Sequence, residues 1–161
     1  MQKITPCLWF DDNAEEAATF YVSTFKNAKL GPITRYGTSG AEVSGKPAGS
    51  VMTATFEIAG QEFVALNGGP LFKFTEAFSF VVNCETQEEI DEMWEKLSEG
   101  GEKGPCGWLK DKYGLSWQIV VPRWDEMLRD KDPQISERVM AAILHMTKPD
   151  VQRIQQAYEG R

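Results

Sequence analysis

Two side chains of this chain could carry acid–base or covalent chemistry. Cys106 stands in the run Pro105-Cys106-Gly107, at the start of a predicted strand. As a nucleophile or redox thiol it would need a neighbouring base or cation to lower its pKa, and Lys110 is the cation near it in sequence. The alternative is a small residue at a tight turn into the strand. Glu62 could act as a general base if it is partly buried, although an exposed strand end explains it equally well.

A second group of side chains has the chemistry of a site for a planar or apolar molecule. Trp108 and Tyr113 offer aromatic faces, with Lys110 between them in sequence. An interface between subunits explains Trp108 equally well, and an exposed strand end could explain Asn67. We predict five ligand contacts, in which aromatic, cationic and amide groups combine: Asn67, Trp108, Lys110, Tyr113 and Gln118. Glu62 and Cys106 are the candidates for catalysis.

A repeat of 73 positions is expected to hold these residues in place. Asn13-Ala14-Glu15-Glu16 and Thr86-Gln87-Glu88-Glu89 each join a capping residue to a Glu three places later, as at a helix start. An extended run precedes each helix, and a Gly-led strand closes each half. Such self-similarity indicates duplicated modules. We predict an α+β fold of two βαβββ modules, at about residues 1–75 and 76–125, within one domain at 1–125.

The two modules are predicted to form a curved mixed sheet around a cup, with the helices outside. The first helix is expected at 14–25 and a mobile loop at 37–50. After Pro122 the pattern changes, and 126–161 is predicted as a C-terminal helical extension. Alternation places Trp9 against the helix and directs other side chains into the cup: Glu62, Val64, Leu66, Ser116, Gln118 and Val120, with Ile4, Pro6, Leu8, Phe10, Ala77, Ser79, Val81 and Asn83.

Composition narrows the class of protein. The 161 residues carry a formal net charge of −7, which argues against nucleic acid and anionic membranes as partners. No apolar run approaches the ~20 residues of a membrane span. No signal peptide is visible, and three widely spaced cysteines are typical of a reducing compartment, so we expect a cytoplasmic protein.

Several blocks of sequence together resemble the PhnB-like branch of the vicinal oxygen chelate superfamily, which is often labelled demethylubiquinone 3-methyltransferase-like. The superfamily includes glyoxalase I, extradiol dioxygenases and bleomycin- and fosfomycin-resistance proteins. The resemblance covers roughly 1–125 and implies paired βαβββ modules and a homodimer. The blocks that carry it are Ile4-Thr5-Pro6, Asn13-Ala14-Glu15-Glu16-Ala17, Ala65-Leu66-Asn67-Gly68-Gly69-Pro70, Asn83-Cys84-Glu85-Thr86, residues 104–111 and Tyr113-Gly114-Leu115-Ser116-Trp117-Gln118.

The resemblance also bears on metal binding. Metal-using members place His or Glu at one cup-facing position on each opening and closing strand. A divalent ion needs about three or four O or N ligands. Of the corresponding side chains here, only that of Gln118 can coordinate, and the single histidine, His145, lies in the C-terminal extension. We therefore expect no metal and no cofactor. The corresponding positions are Ile4 or Pro6, Val64, Ala77 or Ser79, and Gln118.

These inferences lead to one functional prediction and one alternative. The protein is expected to bind a small, partly aromatic or apolar molecule in a metal-free cup, as bleomycin-resistance-like proteins sequester a drug. The alternative is an enzyme, either a metal-independent lyase or isomerase, or the methyltransferase of the family label. Most methyltransferases hold their cofactor at a Gly-rich strand–helix turn, whereas this first strand runs into Asp11-Asp12-Asn13. The sequence leaves the ligand and any reaction open.

Overall fold

The chain folds as two compact units, Met1–Phe74 and Thr75–Arg161, in a computed structural model that describes residues 1–161. Each unit contains one four-stranded mixed sheet, which confirms the predicted α+β class and the two βαβββ modules. No helix has both the length and the apolar character needed to cross a membrane.

The first unit follows the predicted βαβββ order with one added helix. Its strands lie in the order β1-β4-β3-β2, with β1 parallel to β4 and the other pairs antiparallel. The elements are β1 (Cys7–Phe10), α1 (Ala14–Thr24), β2 (Ala28–Arg35), α2 (Thr38–Ser44), β3 (Val51–Ile58) and β4 (Gln61–Asn67).

The helix α2 lies within the segment predicted as a mobile loop, so that prediction is wrong for 38–44. Gly45 ends the helix in the left-handed conformation, at φ 72°, and its N–H donates to the Ala41 carbonyl. Glycine at this position is a common helix stop. None of the α2 residues is buried, so the segment has no apolar stripe from which a helix could be predicted.

The second unit repeats the order and adds three helices. Its strands lie in the order β5-β8-β7-β6, and the two-residue β6 completes the predicted βαβββ order. The helices after β8 confirm the C-terminal helical extension. The elements are β5 (Ser79–Asn83), α3 (Gln87–Ser98), β6 (Glu102–Lys103), β7 (Trp108–Lys110), β8 (Ser116–Val120), α4 (Arg123–Leu128), α5 (Pro133–Leu144) and α6 (Val151–Glu159).

Each sheet buries one face under its helix. In the first unit Tyr21 of α1 lies 5.7 Å from Phe56, and Phe56 stacks on Phe63 at 5.1 Å. In the second unit the predicted alternation holds along the closing strand, where Leu115, Trp117, Ile119 and Val121 are buried. The opposite side of each sheet, which is less buried, is called the open face below.

The opening strand of the first unit, β1, differs from the prediction by one residue. In β1, Trp9 pairs with Leu66 of β4, whereas Leu8 and Phe10 are buried beside Ala65 and Asn67. The predictions that Leu8 and Phe10 face the open side and that Trp9 faces the helix are therefore wrong. Such a one-residue change moves every side chain of a strand to the other face.

The register shows where the error arose. Cys7 pairs with Val64 and Val81 pairs with Gln118. Since Val64 and Gln118 are equivalent on the closing strands, Cys7 and Val81 are equivalent, at an offset of 74 positions. The helices repeat at 73 positions. The predicted assignment therefore holds for Ser79, Val81 and Asn83 and is reversed in β1.

Candidate ligand-binding site

Three of the predicted contacts lie together on the open face of the second sheet. Trp108 of β7 is the cross-strand partner of Gln118, and Lys110 is the partner of Ser116. Paired residues of neighbouring strands project to the same side of a sheet. Trp108, Lys110 and Gln118 are all half-buried, so each side chain is both held in place and accessible.

Amide and hydroxyl groups form the polar part of this face. Gln118 Nε2 donates to Ser79 Oγ at 2.9 Å, which orients the amide. Ser116 is only 1% exposed, and its Oγ has no hydrogen-bond partner. A buried hydroxyl without a partner is uncommon and costs free energy.

The charge on this face is held by an ion pair. Lys110 Nζ contacts Glu76. The hydrogen bond and the charge of Glu76 raise the pKa of Lys110, and the same hydrogen bond lowers the pKa of Glu76. Both groups therefore stay ionised across neutral pH. The pair offers a ligand a cation whose charge is already partly balanced.

Tyr113 lies in the turn between β7 and β8 rather than on either strand. Its backbone N–H donates to Asp111 Oδ1, and the Lys112 ammonium lies 5.7 Å from the centre of its ring. The 2% exposed Asp111 also accepts from the N–H of Leu115 and from the Trp117 indole. Sequence reasoning missed Asp111, although Asp at the start of a Gly-containing turn is a known signal.

Asn67 and Glu62 belong to the first unit and are not among this group. Asn67 is 5% exposed, and its Oδ1 accepts from the N–H of Ala14 at 2.8 Å while its Nδ2 donates to the Val51 carbonyl. Its amide therefore ties β4 to α1 and β3. Glu62 is exposed at the start of β4, where its backbone exchanges two hydrogen bonds with the side chain of Gln2.

Cys106 lies in a loop that contacts the end of α5. Its backbone has φ 59°, its N–H donates to the Met146 carbonyl at 2.8 Å, and its Sγ lies 3.9 Å from the Leu144 carbonyl oxygen. The adjacent Gly107 has φ 82° and donates to Thr147. These contacts give Cys106 a place in the packing of the loop, while its chemical role stays a prediction.

No group of three or more His, Cys, Asp or Glu side chains is arranged to hold a metal ion. The one histidine, His145, ends α5, where its Nδ1 lies 2.7 Å from the Ala141 carbonyl oxygen.

The comparisons with known proteins agree on the family. A family model described as 3-demethylubiquinone-9 3-methyltransferase matches residues 2–120. A Bacillus cereus PhnB protein, described as a putative 3-demethylubiquinone-9 3-methyltransferase, is 40% identical; the match covers 74% of this chain and 99% of that one, with a TM-score of 0.64. No curated protein matches the chain.

Two more distant structures share the fold. PA1353 from Pseudomonas aeruginosa is 20% identical over 75% of this chain and 98% of its own, with a TM-score of 0.59. The fosfomycin resistance protein FosX from Listeria monocytogenes is 17% identical over 78% of this chain and 97% of its own, with a TM-score of 0.51. Another structure of that FosX contains Mn(II) and a sulfate ion.

Proposed function

Since the chain belongs to the 3-demethylubiquinone-9 3-methyltransferase family, the PhnB-like branch of the vicinal oxygen chelate superfamily, we propose that it binds a small, partly aromatic molecule without a divalent metal ion. The site is the open face of the second sheet. The observation that carries the proposal is the register that puts Trp108, Lys110 and Gln118 side by side.

Each of these groups has a distinct part in binding. The Trp108 indole provides a large apolar surface for an aromatic ring. Gln118 Nε2 is already bonded to Ser79, which leaves Oε1 to accept from a ligand. A neutral aromatic molecule that carries a hydroxyl or N–H group fits these groups best, because the charge of Lys110 is balanced by Glu76.

Binding can be tested with 2-naphthol as the probe, followed by isothermal titration calorimetry. Gln118→Leu removes the acceptor and keeps a similar volume, so the dissociation constant should rise about tenfold. Gln134→Leu is the matched control, because Gln134 is exposed on α5 of the same unit. Equal affinities of the Gln118→Leu variant and the wild type would contradict the proposal, as would an equal loss in the control.

The metal-free part of the proposal rests on the donor set. The FosX structure contains Mn(II), and such an ion needs about three or four O or N ligands. On the open face of the second sheet the Glu76 carboxylate is paired with Lys110, while Gln118 and the serines are neutral, and neutral amides are weak ligands. The protein is dialysed against EDTA, mixed with one equivalent of Mn²⁺, Ni²⁺ or Zn²⁺ and then desalted. Elemental analysis of the desalted protein should find much less than one metal ion per chain. One tightly bound ion per chain would overturn this part.

Methyl transfer is the competing function, and the description of the matching family favours it. The turn between β1 and α1, Asp11-Asp12-Asn13, contains no glycine and carries two carboxylates. Calorimetry with S-adenosylmethionine separates the two functions. We expect no binding heat with S-adenosylmethionine, whereas a dissociation constant in the micromolar range would favour the methyltransferase.

A further inference from the structure

The first unit contains a cavity that none of the predicted contacts describes. Its volume is about 730 Å³, within the range of small-molecule pockets. Trp9 and Leu66 of the open face form one side, and the end of α2 and the loop after β4 form the others. The second module has no counterpart of α2, so the cavity belongs to the first module alone.

The aromatic wall of this cavity is held rigidly. Trp9 Nε1 donates to the Gly69 carbonyl at 2.9 Å, and the ring meets Phe72 edge-on at 4.9 Å between centroids. A Cβ added to Gly68 would lie 2.3 Å from the indole, so glycine is required for the ring to rest on the backbone. The indole is therefore in place before any ligand arrives, which reduces the entropy lost on binding.

One cation lines the cavity. The Lys46 side chain is 19% exposed, and its Nζ lies 3.3 Å from Asp11 Oδ1, whose side chain is 53% exposed. Lys46 directly follows the glycine that ends α2, and its N–H donates to Ser44 Oγ. The ammonium is thus directed by the helix end, and its long, partly solvated ion pair leaves donor capacity for a second anion.

We propose that this cavity binds a planar aromatic carboxylate, with the ring against Trp9 and Leu66 and the carboxylate on Lys46. The remaining lining is mostly apolar, from Val43, Pro70 and Leu71. Its lining side chains all belong to the first unit, whereas those of the proposed function belong to the second, so different variants test the two proposals.

The probes for this site are 2-naphthoate and its neutral isostere 2-naphthamide, measured by titration calorimetry. The wild type should bind the carboxylate more tightly. Lys46→Met keeps most of the apolar stem and removes the charge, so it should weaken 2-naphthoate about tenfold and change 2-naphthamide less than about twofold. Lys29→Met is the control, because Lys29 is an exposed, ion-paired lysine of the same unit.

A second pair of variants avoids any risk to folding. Val43 is 91% exposed and lines the cavity. Val43→Glu adds a negative charge there and should weaken 2-naphthoate several-fold relative to Val43→Gln, which changes the shape equally. Unchanged 2-naphthoate affinity in Lys46→Met, no binding by the wild type, or a loss seen in Gln118→Leu but not in Lys46→Met would each overturn the proposal.

Discussion

The helices that open the two modules have equivalent sequences but begin in different ways. In the second module Thr86 Oγ accepts from the N–H of Glu89 at 3.2 Å, and the Glu89 carboxylate accepts from the N–H of Glu85. This is close to the capping box that the spacing predicts. In the first module Asn13 makes no side-chain capping bond, although its spacing to a following Glu is the same.

The first helix obtains its cap from a strand instead. Asn67, 53 positions along the chain, accepts from the Ala14 N–H. The start of α1 therefore depends on the first sheet being assembled, whereas α3 is capped by its own neighbours. The comparison shows that a local capping signal is sufficient in one module and is replaced by a tertiary contact in the other.

The closing hairpins show a related difference. Each module has one buried polar side chain that gathers backbone groups, Asn67 at the end of β4 and Asp111 before β8. Asn67 links three separate elements, while Asp111 bonds to donors no more than six positions away. The first module thus relies on distant contacts where the second uses near ones.

The largest expected contrast between the modules is in the reactivity of two cysteines. Cys7 lies on β1 of the first module, and Cys84 directly follows β5 of the second. Cys7 is exposed and Cys84 is buried, and burial raises the pKa of Cys84 to about 12. At pH 8, 5,5′-dithiobis(2-nitrobenzoate) should modify Cys84 about a hundredfold more slowly than Cys7, because only an opened state exposes it. Peptide mapping gives the two rates, and unfolding in urea should abolish the difference.

The same pKa makes a signed prediction for stability. The unfolded thiol ionises near its ordinary value of 9, while the folded thiol stays protonated to about 12. The contribution of Cys84 is therefore complete below pH 9 and is lost as the pH rises between these values. The loss of unfolding free energy between pH 9 and 12, measured by urea denaturation, should be smaller in Cys84→Ala than in the wild type. An equal loss in the two proteins would contradict the raised pKa of Cys84.

Asp111→Ala should cause the largest loss of stability in the second module. Three donors, the N–H groups of Tyr113 and Leu115 and the Trp117 indole, lose their acceptor, and Leu115 and Trp117 are buried. Each buried unsatisfied group costs about 1–3 kcal/mol, so we expect about 3 kcal/mol or more by urea denaturation. Asp111→Asn should recover part of the loss. A cost below that of Asn67→Ala would reverse the ranking.

Asn67→Ala should cost about 2 kcal/mol, because the cap of α1 and the bond to Val51 disappear together. Thr86→Ala, the local cap of the second module, should cost about 1 kcal/mol. Asn13→Ala is the matched control, with a change within about 0.5 kcal/mol, since its side chain makes no capping bond. Equal costs for Asn13 and Thr86 would contradict the difference between the two helix starts.

The smallest expected effect is a gain at the turn between β3 and β4. Ala59 has φ 51° and precedes Gly60 at φ 83°, so a residue with a Cβ occupies the left-handed region. That conformation costs a non-glycine residue roughly 1 kcal/mol, which Ala59→Gly relieves at some cost in backbone entropy. The net result should be about 0.5 kcal/mol of stabilisation by thermal unfolding. In the turn of the second module Gly114, the equivalent of Gly60, is left-handed, but Tyr113, the equivalent of Ala59, is not, so no such change is needed there.

Much of the architecture could be predicted from periodicity. The first helix, predicted at 14–25, is Ala14–Thr24, and the faces of the closing strand in the second unit are as predicted. The face of β1 could not be predicted, because Leu8, Trp9 and Phe10 are all apolar and show no two-residue alternation. Only their pairing with β4 decides which of them are buried.

Part of the candidate site could likewise be predicted from sequence, and part depends on distant contacts. Trp108, Lys110 and Gln118 could be grouped because they lie on strands of one module with a short connection. The hydrogen bonds of Asn67 could not be predicted from sequence, since its partners lie in α1 and β3. The cavity beside Trp9 could not be predicted either, because the helix that borders it, α2, has no buried residue and hence no apolar pattern.

The sequence by itself determined the duplicated βαβββ order, the amphipathic helices and the helical extension, because each depends on contacts between near neighbours or on a regular apolar period. Tertiary structure decided the face of the opening strand, the cap of the first helix and the shape of the cavity. These depend on which distant backbone groups meet, and hydrogen bonds between such groups form only when the sheet is assembled.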